Sequence, residues 1–176
     1  MKKWLIRPAV EADSEQIVRG IKHYRSEINP EGQRGSPSEI SSFVTRLFRT
    51  EGIRTFVAVQ GDEVLGFLLF TYSATAYHLR FSLQLVDLWV APQWRMNGVA
   101  SSLMLAAIDH AKDVKDVKAG SLYFVMDPSK QRLMSFYERL GFQLAELAYL
   151  RMVIAPDEKE IIPSPKSNNS FNPTAG

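Results

Sequence analysis

One stretch of this chain constrains its fold more than any other, because the hydrophobic period changes within it. From Leu83 to Val90 the residues read Leu-Gln-Leu-Val-Asp-Leu-Trp-Val, apolar on both faces except at Gln84 and Asp87. That pattern fits a strand with neighbours on both sides. After Pro92 the period shifts from two to three or four, and Val99, Leu103, Ala106, Ala107, Ile108 and Ala111 share one broad helical face. Between strand and helix lies the turn Pro92-Gln93-Trp94-Arg95-Met96-Asn97-Gly98. Such a turn aims several backbone amides at one point, and the helix dipole adds positive potential there, so the junction suits a phosphate. Gly98 lets a ligand approach the backbone, Ala100 keeps the next turn slim, and Arg95 brings a cation to the rim. The spacing by itself also fits an ordinary structural turn. It has neither the Lys-Ser/Thr ending of a P-loop nor the three spaced glycines of a dinucleotide fold.

The remaining elements follow from local signals. Trp4 to Arg7 reads as a first strand closed by Pro8. A helix follows, capped by Asp13 or Ser14, with Ile17, Val18, Ile21 and Tyr24 on its apolar face. Asn29 to Gly35 has a loop composition, and Ser36-Pro37-Ser38-Glu39 forms a capping box that starts a second helix through Phe43, Leu47 and Phe48. Ile53 to Val59 and Val64 to Tyr72 read as a hairpin around Gln60-Gly61-Asp62-Glu63. The long helix after Gly98 is expected to end near Asp116. Ser121 to Met126 returns to strand, Leu133 to Leu140 to a helix stopped by Gly141, and Phe142 to Ile154 to strand. The order β-α-α-β-β-β-α-β-α-β implies a mixed sheet with a βαβ crossover.

Composition narrows the class. The chain has 176 residues, 45% of them hydrophobic, enough for one core over residues 1–155, with a tail of low structure over 156–176. Basic residues number 21 and acidic ones 19, without a basic stripe, so nucleic acid is not an expected partner. The absence of cysteine excludes disulfides, a thiolate nucleophile and zinc sites built on Cys ligands. His23, His78 and His110 share no metal-ligand spacing and are expected at the surface or at helix caps, so no metal is expected. No stretch reads as a signal peptide or membrane span, and the expected compartment is the cytoplasm.

Val90-Ala91-Pro92-Gln93-Trp94-Arg95-Met96-Asn97-Gly98-Val99-Ala100, followed by Leu103, resembles the acetyl-coenzyme A motif of the GNAT family of N-acetyltransferases. That motif reads Arg or Gln, two residues, Gly, one residue, then Gly or Ala. Downstream, Phe136-Tyr137-Glu138-Arg139-Leu140-Gly141-Phe142 is similar to the family's second signature, and Ile6-Arg7-Pro8-Ala9 with Asp13 to its opening. The resemblance covers about residues 4–154. It implies an α/β (α+β) fold with a mixed, mostly antiparallel sheet of about six or seven strands and about four helices. The chain departs from the family pattern at Met96, where Gly is common, and at Lys130 and Leu133, where Asn and Ala are common.

The resemblance further implies acetyl-CoA as co-substrate and direct transfer to an amine. The pantetheine arm would pair with backbone of Leu88, Trp89 and Val90, and the pyrophosphate would lie on Arg95, Met96, Asn97, Gly98, Val99, Ala100 and Ser101, with Lys130 added to the cofactor set. Tyr137 occupies the position of the family's general acid, although a Tyr near a helix end is also an ordinary core aromatic. Asp87 is the candidate base or substrate anchor, since a carboxylate in an apolar strand must be paired or raised in pKa. A neighbouring Arg or water satisfying it is the alternative. The expected acceptor is a small-molecule amine such as a polyamine, aminoglycoside or amino acid, with a protein N-terminal or lysine amine second. A non-catalytic acyl-CoA sensor and a sheet-edge homodimer are the rival readings.

Overall fold

The computed structural model describes residues 4–28, 30, 35–75, 80–113, 122–123 and 131–143. Chain contacts separate Met1–Phe142 from Gln143–Gly176. The expected strand through Ile154, the expected tail, Lys130 and His78 lie outside the described residues.

Among the described residues, five strands form one sheet in the order β1 (Leu5–Pro8), β2 (Ile53–Gln60), β3 (Glu63–Thr75), β4 (Arg80–Val90) and β5 (Leu122–Tyr123). The first three pairings are antiparallel, and β4 with β5 is parallel. Helices α1 (Ser14–Ile28) and α2 (Pro37–Arg49) follow β1, α3 (Val99–Asp113) follows β4, and α4 (Gln131–Glu138) follows β5. The mixed α/β class and the crossover through α3 agree with the sequence pattern. Alternation along β2 shows why two apolar layers exist. Phe56 and Ala58 enter the core shared with Leu103 and Met104 of α3, while Val57 and Val59 enter the core shared with Ile17 of α1 and Val44 of α2. A sheet covered on both faces needs strands without a polar face, which accounts for the unbroken run from Val64 to Phe70 in β3.

Local chemistry sets the ends. The Ser36 hydroxyl accepts from the Glu39 N–H at 3.3 Å and the Glu39 carboxylate accepts from the Ser36 N–H, with Pro37 at the first helical position. The β2–β3 turn closes on Gly61, whose φ of 56° only glycine adopts freely. Gln16 of α1 fastens that turn, donating to the Asp62 carbonyl at 2.7 Å and accepting from the Val64 N–H at 2.9 Å. Helix α4 ends in a Schellman motif, with Phe142 N–H to Tyr137 O at 3.1 Å and Gly141 N–H to Glu138 O at 2.9 Å.

The second helix runs through Phe43, Leu47 and Phe48 as expected, with Ile40, Val44 and Leu47 on its inward face. Two sequence expectations change. Asp13 does not cap α1 but closes the 3-10 turn before it, accepting from the Val10 N–H at 2.8 Å and from both Arg7 nitrogens at 2.6 and 2.9 Å. His110 is neither a cap nor a surface group. Its Nε2 lies 2.6 Å from the Tyr72 hydroxyl, and its ring meets Phe56 and Phe70, because the end of α3 crosses the aromatic rows of β2 and β3.

Candidate active site

At the end of β4 the chain makes a 3-10 turn over Pro92–Trp94 and reaches α3 through Arg95, Met96, Asn97 and Gly98. Met96 has φ 61° and Gly98 φ 89°. Alternation into the left-handed region turns successive amides to one side, the geometry of an anion nest. Trp94 N–H and Arg95 N–H are bonded back to Ala91 O and Pro92 O, and Ser102 N–H to Gly98 O. The N–H groups of Met96, Asn97, Gly98, Val99, Ala100 and Ser101 have no partner among the described residues. A Cβ at Gly98 would meet nothing within 4 Å, and the Met96 side chain is fully exposed, so the space before these amides is open. The loop is held from its other side. Asn97 Nδ2 donates to Arg95 O at 2.9 Å, and the buried Ser102 hydroxyl donates to Gly98 O at 3.1 Å.

Arg95 does more bracing than the sequence suggests. Its Nε donates to Val90 O at 2.9 Å, and one terminal nitrogen lies 2.7 and 2.8 Å from the Glu27 oxygens on α1. Its charge is therefore shared with a carboxylate. Trp94 packs between the two core layers and donates its indole N–H to Glu63 at 3.2 Å.

Along β4 the open edge can be read from the ladder. Ala91 N–H bonds Leu65 O, and Val90 faces Gly66, so alternation assigns the backbone groups of Trp89 and Asp87 to β3 and turns those of Leu88 and Val90 the other way. Of the three residues expected to pair with a cofactor arm, Trp89 thus lacks an outward backbone. On that outer edge β5 is paired only at Leu83 and Gln84 among the described residues, leaving Leu88 and Val90 unmatched by a strand. A bulge at Val86, between the Leu69–Asp87 and Phe70–Leu85 pairs, leaves that valine exposed. Bulges twist a strand and re-aim its neighbours.

Asp87 and Trp89 point to the α1 side of the sheet. Trp89 is buried, stacked on Phe67 at 5.7 Å and on His23 at 6.3 Å, and its indole N–H has no partner among the described residues. Burial pushes the Asp87 carboxyl above its usual range, opposed by a hydrogen bond from Tyr24 of α1. The Tyr24 phenol is in turn raised, first by burial and then by the Asp87 charge, with Tyr137 also within electrostatic reach. Burial likewise raises Tyr137, whose ring meets Phe136 at 4.9 Å and Phe142 at 5.7 Å. Asp87 and Tyr137, chosen separately from sequence, both act on the Tyr24 phenol, Asp87 the more strongly.

Sequence reasoning placed Tyr24 on an apolar face and passed over Glu27. The available signal was the phenol at the last turn of an apolar stripe, since a buried Tyr hydroxyl needs a partner and Asp87 is a carboxylate set in an apolar strand. Among the described residues, no group of three or more His, Asp or Glu is placed to hold a metal ion, and no helix is long and apolar enough to cross a membrane.

The comparisons with known proteins bear on the same stretch. The model of the acetyltransferase (GNAT) family matches residues 19–142. No curated protein matches the sequence. Among solved structures, a possible acetyltransferase from Clostridium difficile 630 is similar with TM-score 0.74 and 17% identity, over 88% of this chain and 100% of that one. A transcriptional regulator from Bacillus halodurans C-125 is similar with TM-score 0.71 and 24% identity, over 85% of this chain and 99% of that one. An aminoglycoside acetyltransferase from an uncultured soil metagenomic sample, solved with sisomicin, has TM-score 0.69 and 14% identity, over 86% and 97%. At these identities the structures establish the shared fold.

Proposed function

The chain belongs to the acetyltransferase (GNAT) family, and on that premise we propose that it moves an acetyl group from acetyl-CoA to a primary amine of a small molecule. The observation that carries this reading is the row of six unpartnered amides from Met96 to Ser101 at the start of α3, with open space before Gly98. Amides and a helix N-terminus together favour a diphosphate, so the residues present fit the cofactor. Acetyl-CoA, when bound, supplies the acetyl thioester. The loop from Arg95 to Ser101 would hold its diphosphate, and the outward backbone of Leu88 with the Val90 N–H would hold its amide-bearing arm.

The proton chemistry falls to two side chains. An amine attacks only when neutral, so a group must take its proton. Asp87, half-buried and raised toward neutrality, is suited to that task or to anchoring the ammonium. Tyr137, raised by burial, stays protonated at neutral pH and can give a proton to a departing sulfur. The carboxylate suits a cationic small amine, and the similar fold of an aminoglycoside acetyltransferase supports that class. A non-catalytic acyl-CoA sensor is favoured by one feature, the commitment of Arg95 to Glu27.

Isothermal titration with acetyl-CoA tests the reading. Binding in the micromolar range is expected, within the usual span for such substrates. Gly98→Trp, which fills the space before the amides, should abolish it while the fold is retained by circular dichroism. No measurable binding to the wild-type protein would end the proposal. Thiol release across polyamines, aminoglycosides and amino acids then separates enzyme from sensor, since a sensor binds without amine-dependent release.

A further inference from the structure

Helix α1 comes unusually near β4 at Gly20. A Cβ there would lie 2.8 Å from Trp89 Cζ3 and 3.0 Å from Phe67 Cε1, so the glycine sets how close the two elements pack. One turn on from Gly20 is Tyr24, on the same helical face. Two residues back from Trp89, on the same strand face, is Asp87. A helical turn and a two-residue strand step are similar lengths, about 5.4 Å and 6.6 Å, so the contact at Gly20 brings the Tyr24 hydroxyl over the Asp87 carboxylate. The Tyr24 side chain is half-buried among Trp89 and its neighbours, and Tyr24 and Asp87 each shift the other's titration. Among the described residues no ion pair reaches Asp87.

The geometry points to Tyr24 as the positioning residue of Asp87: seated by the Gly20–Trp89 contact, its hydroxyl holds the carboxylate near the outer edge of β4, where the acceptor amine must lose its proton. The inference rests on the acetyltransferase reading for its functional sense, but the positioning itself does not. The titratable group facing Asp87 is Tyr24 on α1; Tyr137 on α4 acts on Tyr24, and His23 lies against Trp89; β3 places Leu69 opposite. A donor to the carboxylate favours its charged form and works against burial. Tyr24, itself raised, keeps its proton throughout the neutral range and remains a donor.

Tyr24→Phe keeps the ring and removes the hydroxyl. Losing a hydrogen bond to its charged form moves a carboxyl midpoint up by about one pH unit. The Asp87 side-chain carbon, followed by NMR with labelled aspartate and assigned through Asp87→Asn, should titrate about one unit higher in Tyr24→Phe than in the wild type. The acid limb of the kcat/KM profile should move by the same amount in the same direction, with acetyl-CoA affinity unchanged. An unmoved carbon midpoint would overturn the positioning role whether or not the protein acetylates anything. A shifted midpoint without amine-dependent thiol release in the wild type would refute the enzyme reading alone. If Tyr24→Phe does not fold, the phenol carbon of labelled Tyr24 decides, compared between the wild type and Asp87→Asn. A phenol midpoint that falls in Asp87→Asn supports the contact, and an unmoved one overturns it.

Discussion

Asp13 and Asp87 are both withdrawn from solvent, and their surroundings could hardly differ more. At the entry to α1, Asp13 accepts from both Arg7 nitrogens and from the Val10 N–H. Those bonds, led by the one from Arg7, hold its carboxyl below the usual range against the pull of burial. In the middle of β4, Asp87 has a phenol and no cation among the described residues, so burial prevails and its carboxyl rises. A carboxylate that is fully answered ties elements together. One held by a single neutral donor keeps a proton affinity that chemistry can use.

The contrast breaks if the two residues respond alike to substitution. Asp87→Asn removes the proton acceptor and should lower kcat/KM for the amine by about 10²–10⁴-fold, while the urea midpoint holds or rises because a poorly compensated buried charge is gone. A large loss of stability with modest loss of activity would make Asp87 a structural residue. Asp13→Asn should do the reverse, losing about 2–3 kcal/mol as the Arg7 charge loses its partner, with acetyl-CoA affinity kept in the folded protein.

Stability against pH sharpens the same comparison. The Asp13 contribution is complete above the usual carboxylate pKa of about 4 and is lost as pH falls through its lowered folded-state value. Asp87 has the opposite sign, favouring the fold at acid pH and ceasing to do so as pH rises through its raised value. Urea unfolding followed between about pH 3 and pH 7 in the two Asn variants should therefore depart from wild type in opposite directions. The smallest effect belongs to Arg7→Lys, which keeps the charge but loses the planar fork. About 1 kcal/mol is expected, read from the urea midpoint, with transfer activity intact.

Much of this was legible beforehand for local reasons. The Ser36–Glu39 box, the Gly61 turn and the Gly141 stop are chemistry within six residues, and all three formed. The change of period at Pro92 marked the junction of β4 and α3, and the Gly98 turn follows directly from it. What was misjudged depended on neighbours remote in sequence. His110 looked like a surface histidine because nothing near it in the chain shows the aromatic rows of β2 and β3. Trp89 looked equivalent to Leu88 and Val90, since only the register with β3 tells which backbone groups face outward.

The amino-acid order alone determined the elements, the family motif and the amide-lined turn, because each depends on dihedral preferences and periodicity over a few residues. Tertiary structure decided how the site is wired. It set Tyr24 beside Asp87, committed Arg95 to Glu27 across 68 positions of sequence, and turned the backbone of Leu88 and Val90 away from β3 beyond the Val86 bulge. Those outcomes depend on how closely α1 can lie on the sheet, and the missing side chain of Gly20 against Trp89 sets that distance.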